Sequence, residues 1–217
     1  QSLVIFRQIS LNSKCIQNLL RNSSAIKFCF ISKNTKKKHM KGVVFTELIE
    51  MIENECGLEV LDQVLEETKL SGVYTTVGDY PESELFAILD SLGKATGLST
   101  HEMLMGFSKC FFHMLSSQYQ NFFEMHKTSF DFLSALDSYI HPEALKLYPG
   151  ASVPGFAPKR ISENKLELIY TSKRKMPILA RGLIDQTSAF YKEKLKVEEL
   201  MLEADGSVVK FILTKDH

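Results

Sequence analysis

From Met40 onward the apolar positions recur at helical spacing. Phe45, Leu48, Ile49 and Ile52 form one stripe, and Gly57 follows it where a glycine can take the left-handed stop. Leu58, Leu61, Val64 and Leu65 form a second stripe. The stretch "SGVYTTVGDY", residues 71–80, reads as a Gly-containing loop, and Pro81 with Glu82 and Glu84 opens a helix expected to end near Thr96. Ser99 or Thr100 caps the next helix, which covers "HEMLMGFSKCFFHMLSS". After a short break around Phe122 and Phe123, the residues Phe130, Leu133, Asp137 and Ile140 trace a helical face leading to His141.

The pattern then changes. "LYPGASVPGFAP" carries three prolines and two glycines and is expected to exclude regular structure. In "NKLELIYTSKR" the apolar residues Leu166, Leu168 and Tyr170 fall at every second position, which is the period of a strand. Pro177 opens an amphipathic helix, "PILARGLIDQTSAFYKEKL". "VEELMLE" and "SVVKFIL" flank a turn at Ala204-Asp205-Gly206 and form a hairpin. The predicted class is α+β: a mainly helical N-terminal part, then a small antiparallel sheet with a helix, in one domain over residues 40–217. No internal repeat is present.

Charge separates the two ends of the chain. The sequence has 26 basic and 26 acidic residues, yet residues 1–39 hold 8 of the basic ones and no acid, leaving 18 basic against 26 acidic from residue 40 onward. A body this negative is a poor nucleic-acid partner, because binding there depends on neutralising phosphates. Residues 1–39 fit three descriptions: an organelle transit peptide, a solvated basic arm at "KNTKKKH", or upstream sequence translated ahead of a start at Met40. The abrupt onset of amphipathic order favours the last, so this basic extension is set apart as disordered or non-native. No apolar run reaches the roughly 18 residues that span a bilayer, and no membrane association is expected. Cys15, Cys29, Cys56 and Cys110 show no CxxC spacing, which suggests thiols in a reducing, cytoplasmic setting. Cys110 and His113 are spaced like a metal pair but lack a second pair.

Candidate chemistry sits in "YTSKRKM", residues 170–176. In an extended chain Tyr170, Ser172 and Arg174 point to one side, and two hydroxyls with a planar cation suit a pair of carboxylates or a phosphate. A solvated strand end would show the same spacing. His141, at the end of an apolar helix, is either a satisfied core histidine or an axial ligand for haem iron.

Taken together, "MKGVVFTELIEMIE" at the start, "HPEALKLYPGASVP" at 141–154, the Y-x-S-x-R row and the "GLI" helix after it resemble the H-NOX family. These are the haem nitric oxide/oxygen binding domains of bacteria and of soluble guanylate cyclase. The resemblance implies that His141 ligates a ferrous haem b, that Tyr170, Ser172 and Arg174 clamp its two propionates, and that Pro154 presses on the macrocycle. Pro142 departs from the family, which usually has a residue with a free N–H there, and so places His141 in the first turn of a helix. His101, His113 and His126 are the rival ligands within the domain.

The resemblance also bears on which gas binds. Oxygen-binding members carry a tyrosine nine residues after the signature tyrosine, where this chain has Leu179, and some carry a tryptophan at the position of Leu48. Val44, Leu48, Leu179 and Leu183 are thus expected to form an apolar distal wall, joined by Phe111 or Phe112. Selective nitric oxide binding follows, with carbon monoxide as a second ligand and no stable oxygen complex. The implied function is a haem-based sensor, not an enzyme, that signals by release of His141 to a histidine kinase or a cyclic-di-GMP enzyme in trans. The rivals are a haem enzyme of peroxidase or nitric oxide dioxygenase type, and a helical interaction module without a cofactor.

Overall fold

The computed structural model describes residues 38–216. The basic extension expected over residues 1–39 lies outside the described residues up to position 37, while His39 opens the first strand.

The amphipathic stripes become helices at the expected places. α1 (Gly42–Cys56) and α2 (Leu58–Thr68) are separated by Gly57 alone, whose φ of +88° is open to glycine but whose ψ of 161° is extended and not the compact left-handed stop. No side chain caps α1; its first two N–H groups instead donate to the carbonyls of Gly78 and Thr76 in the loop predicted at 71–80. That loop is held in place by a pairing the sequence pattern did not announce, β1 (His39–Lys41) against β2 (Asp79–Pro81), antiparallel. α3 (Glu82–Thr96) follows Pro81 directly, and α4 (Thr100–Gln118) starts with a reciprocal capping box between Ser99 and Glu102.

The continuous helix expected from Phe130 to His141 is broken. α5 (Gln120–Glu124) and α6 (Ser129–Ser134) are followed by a π-helical turn over Leu136–Ile140 and then by α7 (His141–Leu147). Beyond it, residues 148–154 are irregular, but "GFAP" is not: β3 (Gly155–Ser162) contains Pro158. A proline is tolerated because β3 is an outer strand of the four-stranded sheet β3-β4-β6-β5, with β4 (Lys165–Thr171), β5 (Leu195–Met201) and β6 (Val208–Lys215), antiparallel throughout. α8 (Pro177–Phe190) lies between β4 and the hairpin.

Two apolar clusters form the core. The first joins α1 to α4 through Phe45, Leu48, Ile52, Leu85, Ile88 and Phe107; the second joins the sheet to α6 and α8 through Phe130, Leu166, Leu168, Ile184, Phe211 and Leu213. Each fully buried side chain of this size contributes roughly 1.5–3 kcal/mol before the entropy of ordering it. α4 and α8 pack closely where the clusters meet, and Gly182 makes this approach feasible, since a Cβ there would collide with Ser108 of α4.

Candidate functional site

A cavity of about 330 Å³ opens between these two clusters. Its first wall is carbon: Val44 from α1, Phe111, Phe112 and Leu115 from α4, and Leu179 and Leu183 from α8. Leu48, expected in this wall, is fully buried inside the first cluster and does not line the cavity. Only the first turn of α1 reaches the cavity, and Leu48 lies one turn further along the same face, packed among core side chains.

The opposite wall comes from the π turn, α7, and residues 151–156, including Pro154. His141 is its imidazole. The ring's Nδ1 lies 3.1 Å from Asp137 Oδ1, and the other oxygen of that carboxylate accepts the Phe156 N–H at 2.8 Å. Asp137 therefore ties the ring to β3. Because a carboxylate only accepts, Nδ1 carries the proton and Nε2 keeps its lone pair. Burial pushes the His141 imidazole below its ordinary range, against the pull of Asp137. A neutral ring with Nδ1–H held by a carboxylate is the state that ligates a metal.

None of the rival histidines lines the cavity: His101 and His113 are exposed, and His126 bonds the Phe122 carbonyl at 2.9 Å. Among the described residues no three His, Cys, Asp or Glu side chains gather as a metal site, so Cys110 and His113 have no partners for one.

The rim of the cavity is polar. Tyr170, Ser172 and Arg174 all line it, but they do not converge by strand alternation as expected. β4 ends at Thr171, and the chain turns so that Ser172 Oγ accepts the Arg174 N–H at 3.1 Å. Tyr170 Oη accepts the Met176 N–H at 3.1 Å. Both hydroxyls thus accept, and each keeps its own proton to donate. Arg174 donates to the backbone carbonyls of Ser152 and, at 2.9 Å, His39. Its Nε faces Glu82 Oε2 at 3.3 Å without the alignment of a hydrogen bond, so both buried atoms lack a hydrogen-bond partner. The buried Nε itself is turned to Glu82, but a guanidinium at the rim beside two hydroxyls with protons to donate suits ligand carboxylates.

The site thus fits a flat apolar macrocycle with acidic edge groups and a metal that takes one nitrogen ligand. Sequence reasoning missed Asp137 as the anchor of His141, although the four-residue spacing signalled it. It missed Glu82, whose approach to Arg174 depends on tertiary folding alone. It also missed the pair Tyr119 and Tyr148, whose hydroxyls meet at 2.7 Å on the cavity wall and link the end of α4 to the segment after α7. Burial, with help from Tyr119, raises the Tyr148 hydroxyl well above the usual range, so it remains protonated.

Comparison with known proteins agrees with this geometry. The Haem-NO-binding family model matches residues 41–199. The H-NOX protein from K. algicida, solved as Fe(II) unliganded, is 31% identical, with a TM-score of 0.78 over 82% of this chain and 97% of that one. The H-NOX from Shewanella woodyi, solved in solution with IWP-051 in the Fe(II)CO ligation state, is 36% identical, with a TM-score of 0.73 over 82% and 95% of the two chains. The H-NOX protein from S. oneidensis in the Fe(II)NO state shares the fold, with a TM-score of 0.76 at 23% identity over 82% of this chain and 100% of that one. No curated protein matches the chain. Matched along most of its length by the family model and by solved relatives, and carrying a cavity that fits a haem, the chain belongs to the H-NOX family of haem-based gas-sensor domains.

Proposed function

We propose that this domain senses nitric oxide at a ferrous haem b and passes the signal to a separate protein. The observation that carries the reading is His141, anchored through Nδ1 by Asp137 on one wall of an apolar cavity with Tyr170, Ser172 and Arg174 at its rim. Haem b would supply a ferrous iron able to bind diatomic gases. His141 Nε2 would be its protein ligand, Pro154 would bear on the ring from the same side, and the two hydroxyls with Arg174 would hold the propionates.

Selectivity rests on the facing wall. A bound oxygen molecule gains from a hydrogen-bond donor, whereas nitric oxide and carbon monoxide need little such help. Leu179 and Leu183 offer no donor, and the Thr187 hydroxyl is spent on the Leu183 carbonyl at 2.7 Å. The residues given for that wall include no histidine–arginine pair of the kind that serves a peroxidase as acid and base. Carbon monoxide as a ligand is supported by the S. woodyi relative.

Transmission is assigned to α7. None of its residues is fully buried, and His141 is the one whose side chain reaches furthest in, so it is the least anchored helix around the cavity. His141 would hold the iron, and its release would leave α7 tied through Asp137 and the Tyr119–Tyr148 pair. A ligand biases such an equilibrium by its difference in affinity for the two arrangements, and a few kcal/mol suffices. The receiver is a histidine kinase or a cyclic-di-GMP enzyme in the cytoplasm; no helix among the described residues is long and apolar enough to cross a membrane.

The test is His141→Gly. Purified variant is expected to lose its Soret band and to regain it when imidazole is supplied; five-coordinate haem at wild-type level without imidazole would remove His141 as the ligand.

A further inference from the structure

The residue that departs from the family pattern, Pro142, sits directly after a backbone irregularity. Over Leu136–Ile140 the helix widens to π spacing. The Ala135 carbonyl accepts both the Tyr139 N–H, four residues on, at 2.9 Å and the Ile140 N–H, five residues on, at 3.1 Å. His141 then donates to Leu136, again five residues back. At the next position the pattern has no donor, because proline has no N–H.

Proline strongly disfavours the α alternative at this point. In an α-helix residue 142 would donate to the Ser138 carbonyl, and a proline ring would run into that same carbonyl. A widened turn avoids the collision, and single π turns of this kind occur within α-helices often at functional positions. Meanwhile His141 itself is helical, with φ −64° and ψ −42°, a region that a following proline disfavours. What holds it there is visible: Asp137, within the π turn, grips the ring on one side and the Phe156 backbone on the other. Returning the turn to α spacing would rotate His141 about the helix axis relative to Asp137 and β3.

We propose that Pro142 is a positioning residue for the axial histidine: by denying the chain an α turn onto Ser138, it keeps the π turn that presents the His141 ring to the cavity. This rests on the reading of His141 as the iron ligand. Its consequence is that ring orientation, and with it the iron–histidine bond, is set by backbone register as well as by the carboxylate anchor.

The experiment compares wild type with Pro142→Ala in the full chain. Amide hydrogen exchange is followed by NMR over positions 140–142, and the iron–histidine stretching band by resonance Raman of the reduced protein. In the variant, the backbone amide newly present at position 142 is expected to exchange roughly tenfold more slowly than an unstructured amide, the scale of one net hydrogen bond. The His141 amide should stay protected, its bond passing from the Leu136 carbonyl to that of Asp137, and the iron–histidine band should move. A band coincident with wild type at full haem loading would overturn the proposal, whatever the amides do. Should the variant fail to fold, wild type still decides: a His141 amide exchanging as fast as an unstructured one would mean that the π turn is not held. A colourless wild type with the expected amide pattern would instead sink the haem reading and leave the turn inference standing.

Discussion

The two walls of the cavity are built on opposite principles. On the side of α1, α4 and α8 the helices bury much of their apolar stripes, and Phe45, Phe107 and Leu48 are inaccessible or nearly so. On the other side no residue of α7 is fully buried and Leu147 is 52% exposed; beyond Ile140 and Phe156, position is kept by individual polar ties: Asp137 to His141 and Phe156, and Tyr148 to Tyr119. Packed cores resist continuous deformation, whereas a helix on a few polar ties can occupy a second position at little cost. The contrast teaches where rigidity and looseness reside around the cavity; under the proposed function the fixed wall would discriminate between gases and the loose wall would report.

The comparison can be broken by substitutions on either side. Phe107→Ala, in the fixed wall's core, is expected to destabilise the domain by about 3–5 kcal/mol in urea unfolding; a loss under ~1 kcal/mol would mean that this wall is not rigid. Leu179→Tyr places a hydroxyl in the apolar wall and should raise oxygen affinity by about tenfold or more, the worth of one hydrogen bond of ~1.4 kcal/mol, read from spectra of the reduced protein titrated with air. An unchanged affinity would mean that Leu179 does not face the gas.

Glu193 sharpens the picture near the loose wall. Its carboxylate meets Lys215 at 2.6 Å, accepts the Ser129 N–H at 3.0 Å and bonds the Ser129 hydroxyl, tying the start of α6 to the sheet. Burial alone would raise its pKa, but Lys215 and Ser129 outweigh that and hold it below the usual carboxylate range. A depressed acid adds stability that is fully present above its unfolded pKa of about 4.3 and is lost as pH falls through the lower folded value. Glu193→Gln should therefore cost roughly 1–3 kcal/mol at pH 7, and the gap to wild type should shrink below about pH 4. A gap independent of pH would contradict the assignment. At the small end, Leu147→Ala on α7 is expected to change stability by less than about 0.5 kcal/mol, which separates α7 from the fixed wall.

What the sequence disclosed follows the same division. α1, α2, α3, α4 and α8 were legible because their apolar stripes pack against several neighbours, and Ser99, Pro81 and Pro177 mark the starts of three of them. β4 and β6 were legible from alternation, with Leu168 opposite Phe211 and Leu166 opposite Leu213. β1, β2 and β3 were not. The first two have three residues each and exist only because they pair across a long stretch of chain, and β3 carries Pro158, which is admissible only on an outer strand. The π turn escaped because the apolar spacing up to Ile140 reads the same with or without one wide turn. Tyr170, Ser172, Arg174 and His141 were singled out from spacing and context, their roles and Pro154 came from the resemblance, and all five line one cavity. Leu48 was misplaced there because helical periodicity cannot say how far a cavity extends along a helix.

Visible spectra of the reduced protein under argon, carbon monoxide, nitric oxide and air test the central claim most directly. A haem held by one imidazole beneath an apolar wall predicts a five-coordinate spectrum under argon, distinct complexes with carbon monoxide and nitric oxide, and no oxygen complex in air. A protein that stays colourless after growth with ample porphyrin, or one that holds oxygen in air, would contradict it.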